Sequence, residues 1–242
     1  MDFSPPWPQA PAAPRLGPRD VHLFRIALDV PESTRAPLAG LLSADEAVRA
    51  ARFVFERHRR RFLVGRAALR QILGRYLAAA PESLVFSYSE RGRPSLPGAP
   101  FDFNLAHSEE LALLALSPQP LGVDLELLRD VGDAAGIVQR FFSPAEAAAF
   151  ARVPAGQRAQ AFLNGWTRKE ALLKAVGTGI ADLHTVDVTL APGEPTRVLA
   201  MPGPPDEAAA WQLHPIDPGP GFVGALAVRG RAEPLSAWEW TW

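Results

Sequence analysis

The feature that most constrains the fold is one long helix flanked by short strands. From Phe162 to Val176 apolar residues recur at helical spacing, and Gly177 and Gly179 end the pattern. Strands are predicted around this helix at residues 122–127, 186–190, 209–215 and 222–228. A long helix among short strands separated by Pro- and Gly-containing turns predicts an α+β fold.

The first half of the chain mixes strands and helices in a similar way. Ser43 and Glu46 form a capping box that opens a helix, which we expect to continue into the basic cluster 57–61. Helical spacing runs from Phe62 to Leu77. Strands are predicted at residues 21–28, 85–89, 102–106 and 111–116. We therefore expect a proline-rich, extended and mobile arm at 1–18, an N-terminal half at 19–118 and a C-terminal half at 119–242.

Composition excludes several classes of protein. The 242 residues include no cysteine, which excludes disulfides, zinc–thiolate sites and a cysteine nucleophile and agrees with a reducing compartment. A net charge of −1 argues against a general nucleic-acid binder. No apolar run approaches the roughly 18 residues that cross a bilayer, and the N-terminus does not resemble a signal peptide. We expect a cytoplasmic protein that binds neither nucleic acid nor membrane.

Three carboxylates are the first candidates for chemistry. Asp124 and Glu126 point to the same side of a predicted strand, where they suit a hard cation such as Mg²⁺ or form an ordinary solvated face. Glu170 lies four residues after Trp166, beside the apolar stripe of the long helix. A carboxylate there is costly unless it binds metal or pairs with Lys174, one turn further on.

Basic side chains complete the set of candidates. His107 follows a predicted strand and suits a phosphate ligand, a proton carrier or an ordinary turn residue. The cluster 57–61, with Arg66 and Arg70, predicts one basic helix surface, which is either solvated or a phosphate site that Arg93 joins. Together with the acids, these residues are what a Mg²⁺-dependent enzyme needs for a phosphate-rich substrate.

The motifs in their order closely resemble a known family, the 4′-phosphopantetheinyl transferases of the larger, surfactin-synthetase-activating (Sfp-like) type. The most specific part is Gly122-Val123-Asp124-Leu125-Glu126, followed some forty residues later by Trp166-Thr167-Arg168-Lys169-Glu170-Ala171-Leu172-Leu173-Lys174. The other matching segments are 60–70, Gly92-Arg93-Pro94, Phe103-Asn104-Leu105-Ala106-His107-Ser108, 141–146 and 177–179, with a weaker match at 220–228.

The resemblance implies a fold and a reaction. The family fold is a single pseudo-dimeric chain of two similar α/β halves, with the active site between them. The enzyme would act as a monomer and transfer the phosphopantetheine arm of coenzyme A to a serine of an apo acyl or peptidyl carrier protein. Adenosine 3′,5′-bisphosphate is released, and fatty-acid, polyketide or nonribosomal-peptide synthases are activated.

The resemblance also implies roles for individual residues. Asp124, Glu126 and Glu170 would hold Mg²⁺, or Mn²⁺, and Glu170 would activate the carrier serine. His107 and Lys174 would contact the pyrophosphate and act in catalysis. Coenzyme A would further be bound by Arg61 and Arg93 at its 3′-phosphate and by Pro94 near the adenine. Ala106 departs from the serine that the family often has there, which would remove a hydroxyl near the 3′-phosphate.

Two other functions remain open on the sequence. One is a non-catalytic module that binds coenzyme A or a carrier protein, against which the intact acids, His107 and Lys174 argue. The other is a Mg²⁺-dependent hydrolase of coenzyme A, in which water replaces the carrier serine at the same metal site.

Overall fold

Helices and strands alternate along the chain in the computed structural model, which describes residues 7–242. The first half contains β1 (Val21–Ala27), α1 (Glu32–Arg35), α2 (Ala44–Ala51), α3 (Glu56–Leu77), β2 (Ser87–Tyr88), β3 (Pro94–Ser95), β4 (Asp102–Ser108) and β5 (Leu111–Ser117). The second half contains β6 (Leu121–Leu127), α4 (Ala134–Phe141), α5 (Pro144–Ala151), α6 (Arg158–Val176), β7 (Asp187–Val188), β8 (Val198–Ala200), β9 (Trp211–Ile216), β10 (Phe222–Arg229) and β11 (Leu235–Glu239).

The strands form two main sheets with the same internal order. The first sheet has the order β11-β1-β5-β4 and the second has the order β6-β10-β9, while β2-β3 and β7-β8 form small separate pairs. Within β1-β5-β4 and within β6-β10-β9 all neighbours are antiparallel, and β11 joins β1 in parallel. In each half a long helix follows the first strand. The α+β prediction is therefore confirmed.

Each sheet packs against its own long helix. Phe24 and Ile26 of β1 pack with Leu69 and Leu73 of α3. On the other side of the molecule, Ala225 and Ala227 of β10 pack with α6, and α6 also contacts β6. Val21, Leu23, Leu113, Leu121, Val123 and Leu226 belong to a third cluster, which both sheets share. None of the helices in residues 7–242 is long and apolar enough to span a bilayer.

The two sheets meet where β4 lies beside β6, and we call this contact the seam. Backbone ladder bonds between β4 and β6 are replaced by bonds from the backbone of β6 to the side chains of β4. These bonds run from the N–H of Leu121 to Asp102 (3.4 Å), from that of Val123 to Asn104 (2.8 Å) and from that of Leu127 to Ser108 (3.1 Å). The register of the seam is thus determined by polar side chains at alternate positions of one strand.

A buried ion pair connects the start of α5 to α6. Ser143 and Glu146 form the predicted capping box, and Glu146 also pairs with Lys169 at 2.6 Å between Oε2 and Nζ. Both side chains are almost fully buried. Lys169 donates further to the carbonyl oxygens of Leu183 (2.9 Å) and Val186, so the buried ammonium is fully hydrogen-bonded.

The first half contains the same arrangement. Ser43 and Glu46 form the other predicted capping box, and Glu46 binds the buried guanidinium groups of Arg66 and Arg70. Arg70 donates to two carbonyl oxygens of the segment after α3, as Lys169 does after α6. The prediction that Arg66 and Arg70 belong to an exposed basic surface is wrong, because Glu46 binds both side chains inside the protein.

The path of the chain differs from the sequence prediction at several points. The helix that begins after Ser43 ends at Ala51, and α3 begins anew at Glu56. The predicted strand 85–89 shortens to β2 and the predicted strand 186–190 to β7, whereas β4 extends to Ser108. β11 was not predicted, and it carries the C-terminal part of the chain back to the first sheet.

The proline-rich arm is anchored where the structure describes it. The expectations for Pro5 and Pro6 lie outside the described residues. Trp7 is buried in the cluster that both sheets share, and its Nε1–H donates to the carbonyl of Asp217 (3.3 Å). Pro8 and Ala10 form backbone hydrogen bonds with Glu239, the last residue of β11. Residues 7–10 are therefore packed against the rest of the protein, whereas the sequence led us to expect a mobile arm.

Replacing Lys169 by methionine should lower the free energy of unfolding by about 3–5 kcal/mol, because the buried carboxyl group of Glu146 would lose its partner. The double change Lys169→Met with Glu146→Gln should cost less than the single change. Urea denaturation measures both. A loss below 1 kcal/mol for the single change would contradict the role assigned to the pair.

Replacing Ala106 by serine should raise the free energy of unfolding by about 1 kcal/mol. Ala106 lies buried between Asn104 and Ser108 on the seam side of β4, where alternation places it opposite the N–H of Leu125. A hydroxyl there would accept from this amide. Ala112→Ser on the buried part of β5 is the control, and it should destabilise because no such amide faces it. A loss of stability in both variants would refute the assignment.

Candidate functional site

The predicted acid pair lies on β6, on the side that faces α6. Asp124 is buried, and Glu126 is half-buried two residues further along the strand. Gly122 precedes Asp124 on the same side of the strand, and its lack of a side chain allows α6 to approach closely. A Cβ at position 122 would lie 2.1 Å from the carbonyl oxygen of Ala171, which no real packing tolerates.

Two residues of α6 face the acid pair. Glu170 and Lys174 lie one helical turn apart just before the helix ends, where Gly177 adopts the left-handed conformation at φ +78°. The Nζ of Lys174 is 2.6 Å from Oδ1 of Asp124 and 3.9 Å from Oε2 of Glu170. The structure therefore brings together Asp124, Glu170 and Lys174 from two elements that lie fifty residues apart in the chain.

Burial dominates the electrostatics of this group. It raises the pKa of Asp124 to about 7, although Lys174 acts in the opposite direction and Glu170 and Glu126 add to the rise. Burial also raises the pKa of Glu170. For Lys174 burial alone would lower the pKa, but Asp124, Glu170 and Glu126 together raise it. The carboxylates thus repel one another, and a positive charge among them stabilises the group.

One oxygen of this group has no partner. Oδ2 of Asp124 is buried and forms no hydrogen bond within the described part of the chain. Among residues 7–242 no three Asp, Glu, His or Cys side chains lie close enough together to hold a metal ion as they stand. The ammonium of Lys174 provides the counter-charge instead. A buried carboxylate oxygen without a partner, beside two further acids, nevertheless fits a hard cation.

β4 contributes His107 and Ser108 from the other side of the seam. The hydroxyl of Ser108 donates to Oε2 of Glu126 (3.0 Å) and accepts from the N–H of Leu127 (3.1 Å). The pKa of His107 is lowered, mainly because the surrounding protein removes water from the ring and also because Lys174 is positively charged. The site is thus built from both halves of the chain, and Ser108 is a residue that sequence reasoning did not single out.

Arg93 and Pro94 border a cavity of about 280 Å³ that Glu170 and Lys174 also line. The guanidinium of Arg93 donates to the carbonyl of Lys174 (2.7 Å) and to the carboxylate of Asp102 (2.7 Å). It therefore connects the end of α6 to β4. Within the described residues its Nε–H forms no hydrogen bond.

Arg61 borders a second cavity, of about 180 Å³, together with His107 and Ser108. Its guanidinium binds Asp29 (2.6 and 2.8 Å) and Glu109 (2.7 Å), and these bonds raise its pKa above the ordinary value. The two cavities lie at neighbouring positions along β4. All the predicted site residues therefore border one region at the seam, although both arginines are engaged by carboxylates of the protein.

Comparison with known proteins identifies relatives of this chain. Residues 32–119 match the model "4'-phosphopantetheinyl transferase, N-terminal", and residues 120–227 match that of the "4'-phosphopantetheinyl transferase superfamily". The chain is similar to the 4'-phosphopantetheinyl transferase HetI of Nostoc sp., with 44% identity over 87% of this chain and 88% of the relative.

More distant relatives carry the same name. The chain is 32% identical to the 4'-phosphopantetheinyl transferase psf-1 of Bacillus pumilus, over 60% of this chain and 61% of the relative. It is 25% identical to the 4'-phosphopantetheinyl transferase Sfp of Bacillus subtilis, over 66% and 72%. The resemblance that the motifs indicated is therefore confirmed: the chain belongs to the 4′-phosphopantetheinyl transferase family of enzymes.

Proposed function

We propose that this enzyme transfers the 4′-phosphopantetheine arm of coenzyme A to a serine of an apo acyl or peptidyl carrier protein. The observation that carries the proposal is the group formed by Asp124, Glu170 and Lys174 at the seam, with Glu126 and His107 beside it. Such a group can hold a pyrophosphate, neutralise developing charge and accept a proton.

In the proposed reaction the serine oxygen forms a bond to the phosphorus that bears the pantetheine arm. The bond from that phosphorus to the oxygen of the leaving adenosine 3′,5′-bisphosphate breaks. The serine proton passes to the carboxylate of Glu170, directly or through one water. Lys174 and His107 would donate hydrogen bonds to the pyrophosphate oxygens and offset the charge that grows on the leaving group.

Asp124, Glu126 and Glu170 are the residues that would hold Mg²⁺, or Mn²⁺. The unpartnered, buried Oδ2 of Asp124 supports this assignment. When bound, the ion would supply positive charge at the pyrophosphate. Ser108 would keep the carboxylate of Glu126 oriented toward the site through its hydrogen bond to Oε2.

Coenzyme A would lie along the seam, where the two cavities border β4. Arg93 retains its Nε–H for a phosphate oxygen, and Pro94 offers a rigid apolar surface for the adenine. Arg61 would have to exchange Asp29 or Glu109 for the 3′-phosphate. Since one chain supplies both sides of the seam, we propose that it acts as a monomer, and we place the reaction in the cytoplasm.

Apo carrier protein incubated with this enzyme, coenzyme A and Mg²⁺ should gain one phosphopantetheine arm, which intact mass spectrometry measures. EDTA should abolish the gain. Asp124→Asn, Glu126→Gln and Glu170→Gln should each lower the rate by at least about 100-fold, because each removes charge that the reaction needs. Glu233→Gln, at an exposed position near the C-terminus, is the control and should retain the wild-type rate.

Other outcomes would identify the alternatives. Release of phosphopantetheine from coenzyme A without any carrier would indicate a hydrolase. Binding of coenzyme A with no product on acyl, polyketide and peptidyl carriers would indicate a binding module. Wild-type rates in all three acid variants would refute the assigned site.

Ser108→Ala should lower kcat about tenfold and raise the Mg²⁺ concentration needed for half-maximal rate, because Glu126 loses its only hydrogen bond from β4. Ser108→Thr retains the hydroxyl and should restore most of the rate. Ser117→Ala is the control, since Ser117 also accepts one backbone N–H but touches no acid of the site. Equal Mg²⁺ dependence in Ser108→Ala and the wild type would refute this role.

A further inference from the structure

The loop between α2 and α3 carries the most exposed apolar segment of the first half. Phe53, Val54 and Phe55 are consecutive, and Val54 is 90% and Phe55 67% exposed. Val48 of α2 is also exposed, at 55%. We call Phe53–Phe55 the apolar tip. Consecutive exposed aromatic and branched side chains are unfavourable in water unless a partner covers them.

The apolar tip is held in place rather than loose. The ring of Phe53 packs against that of Phe62 at 5.3 Å between centroids, and the ring of Phe55 packs against His58 at 5.9 Å. Phe55 also accepts two backbone N–H groups of α3 through its carbonyl oxygen. A surface that is already ordered loses little conformational entropy when a partner binds, so it is suited to docking.

Positive charge surrounds the apolar tip. Residues 49–61 contain six arginines and one glutamate, in a chain whose net charge is −1. Within residues 7–242 Arg52 and Arg57, which flank the tip, form neither an ion pair nor a side-chain hydrogen bond. An apolar centre with arginines at its rim is typical of a protein interface, and its charge selects an acidic partner.

The apolar tip lies at the mouth of the catalytic site. Phe53 and Phe62 line the same small cavity as His107 and Ser108. Ser108 in turn binds Glu126. A protein seated on the tip would therefore present its own surface to the acids at the seam, whereas a partner bound elsewhere on the molecule would not.

We propose that the apolar tip, with Arg52 and Arg57, is the surface on which the carrier protein docks. The part of the carrier that fits is an apolar face bordered by Asp and Glu, close to the serine that is modified. This inference rests on the proposed function and adds to it the residues that select the partner.

The test separates docking from chemistry. Binding is measured by fluorescence anisotropy of a labelled apo carrier whose target serine is changed to alanine, so that no transfer occurs. The combined change Val54→Ser and Phe55→Ser should weaken this binding and raise the KM for the carrier by at least about tenfold. The kcat and the KM for coenzyme A should stay within about twofold, because neither side chain lines the cavities at the seam.

The contribution of arginine charge to carrier binding is tested by a separate variant. Arg57→Glu should weaken carrier binding at low salt, and the difference from the wild type should shrink as salt rises. Leu199→Ser and Arg231→Glu are matched controls at exposed positions in the second half, and both should bind the carrier as the wild type does. Circular dichroism spectra and melting temperatures should show that every variant is folded.

The outcomes are distinct. If the double variant Val54→Ser and Phe55→Ser binds the carrier with unchanged affinity and KM, the proposed docking surface is wrong. The proposed function would not be affected by that result. Carrier binding by the wild type, weakened by this double change but without any transfer, would support docking and overturn the proposed function. Concentration-dependent dimerisation that the double change abolishes would assign the apolar tip to a second copy of the chain and overturn the proposal.

Discussion

The seam between β4 and β6 is the contact on which the rest of the molecule depends. The two sheets are not joined by a continuous backbone ladder; instead Asp102, Asn104 and Ser108 accept the free amides of β6. Arg93 strengthens the same contact by linking β4 to the end of α6. Because polar side chains determine the register, Ser108 lies beside Glu126, and the positive charge of Lys174 lowers the pKa of His107. A shift of β4 by one residue would turn Asp102, Asn104 and Ser108 away from the amides of β6.

Within each half the same buried pairing positions the long helix. A glutamate at the third position of a capping box binds a basic residue of the long helix, and that residue binds carbonyl groups of the following segment. Glu46 with Arg70 does this in the first half, and Glu146 with Lys169 does it in the second. Since one partner caps a short helix and the other lies on α3 or α6, each pair fixes the angle between two helices. The repeated device supports a pseudo-dimeric description of the chain more directly than the order of the elements does.

Local signals in the sequence predicted what local physics determines. Both capping boxes, the glycine that ends α6 and the alternation of β6 could be predicted, because each depends on neighbours within a few residues. The burial of Arg66 and Arg70 could not, since Glu46 lies some twenty residues away. β11 was missed because a parallel partner more than two hundred residues away leaves no local pattern. Residue type and spacing singled out the candidate acids and bases but left Asp124 and Glu126 open between a cation site and an ordinary solvated face, and their individual roles came from the resemblance.

The two halves are alike in topology, yet only the first strand of the second half carries Asp124 and Glu126. One position on that strand explains why α6 can lie close to these acids. His22 of β1 corresponds to Gly122 of β6, since each is the second residue of the first strand of its half. The ring of His22 occupies the space between β1 and α3, where it binds the hydroxyl of Tyr76 at 2.6 Å. Gly122 leaves that space empty, so that α6 approaches β6 and the ammonium of Lys174 reaches Asp124. A side chain at position 122 would move α6 away, and the acids of β6 would lose the positive charge that allows them to remain buried together.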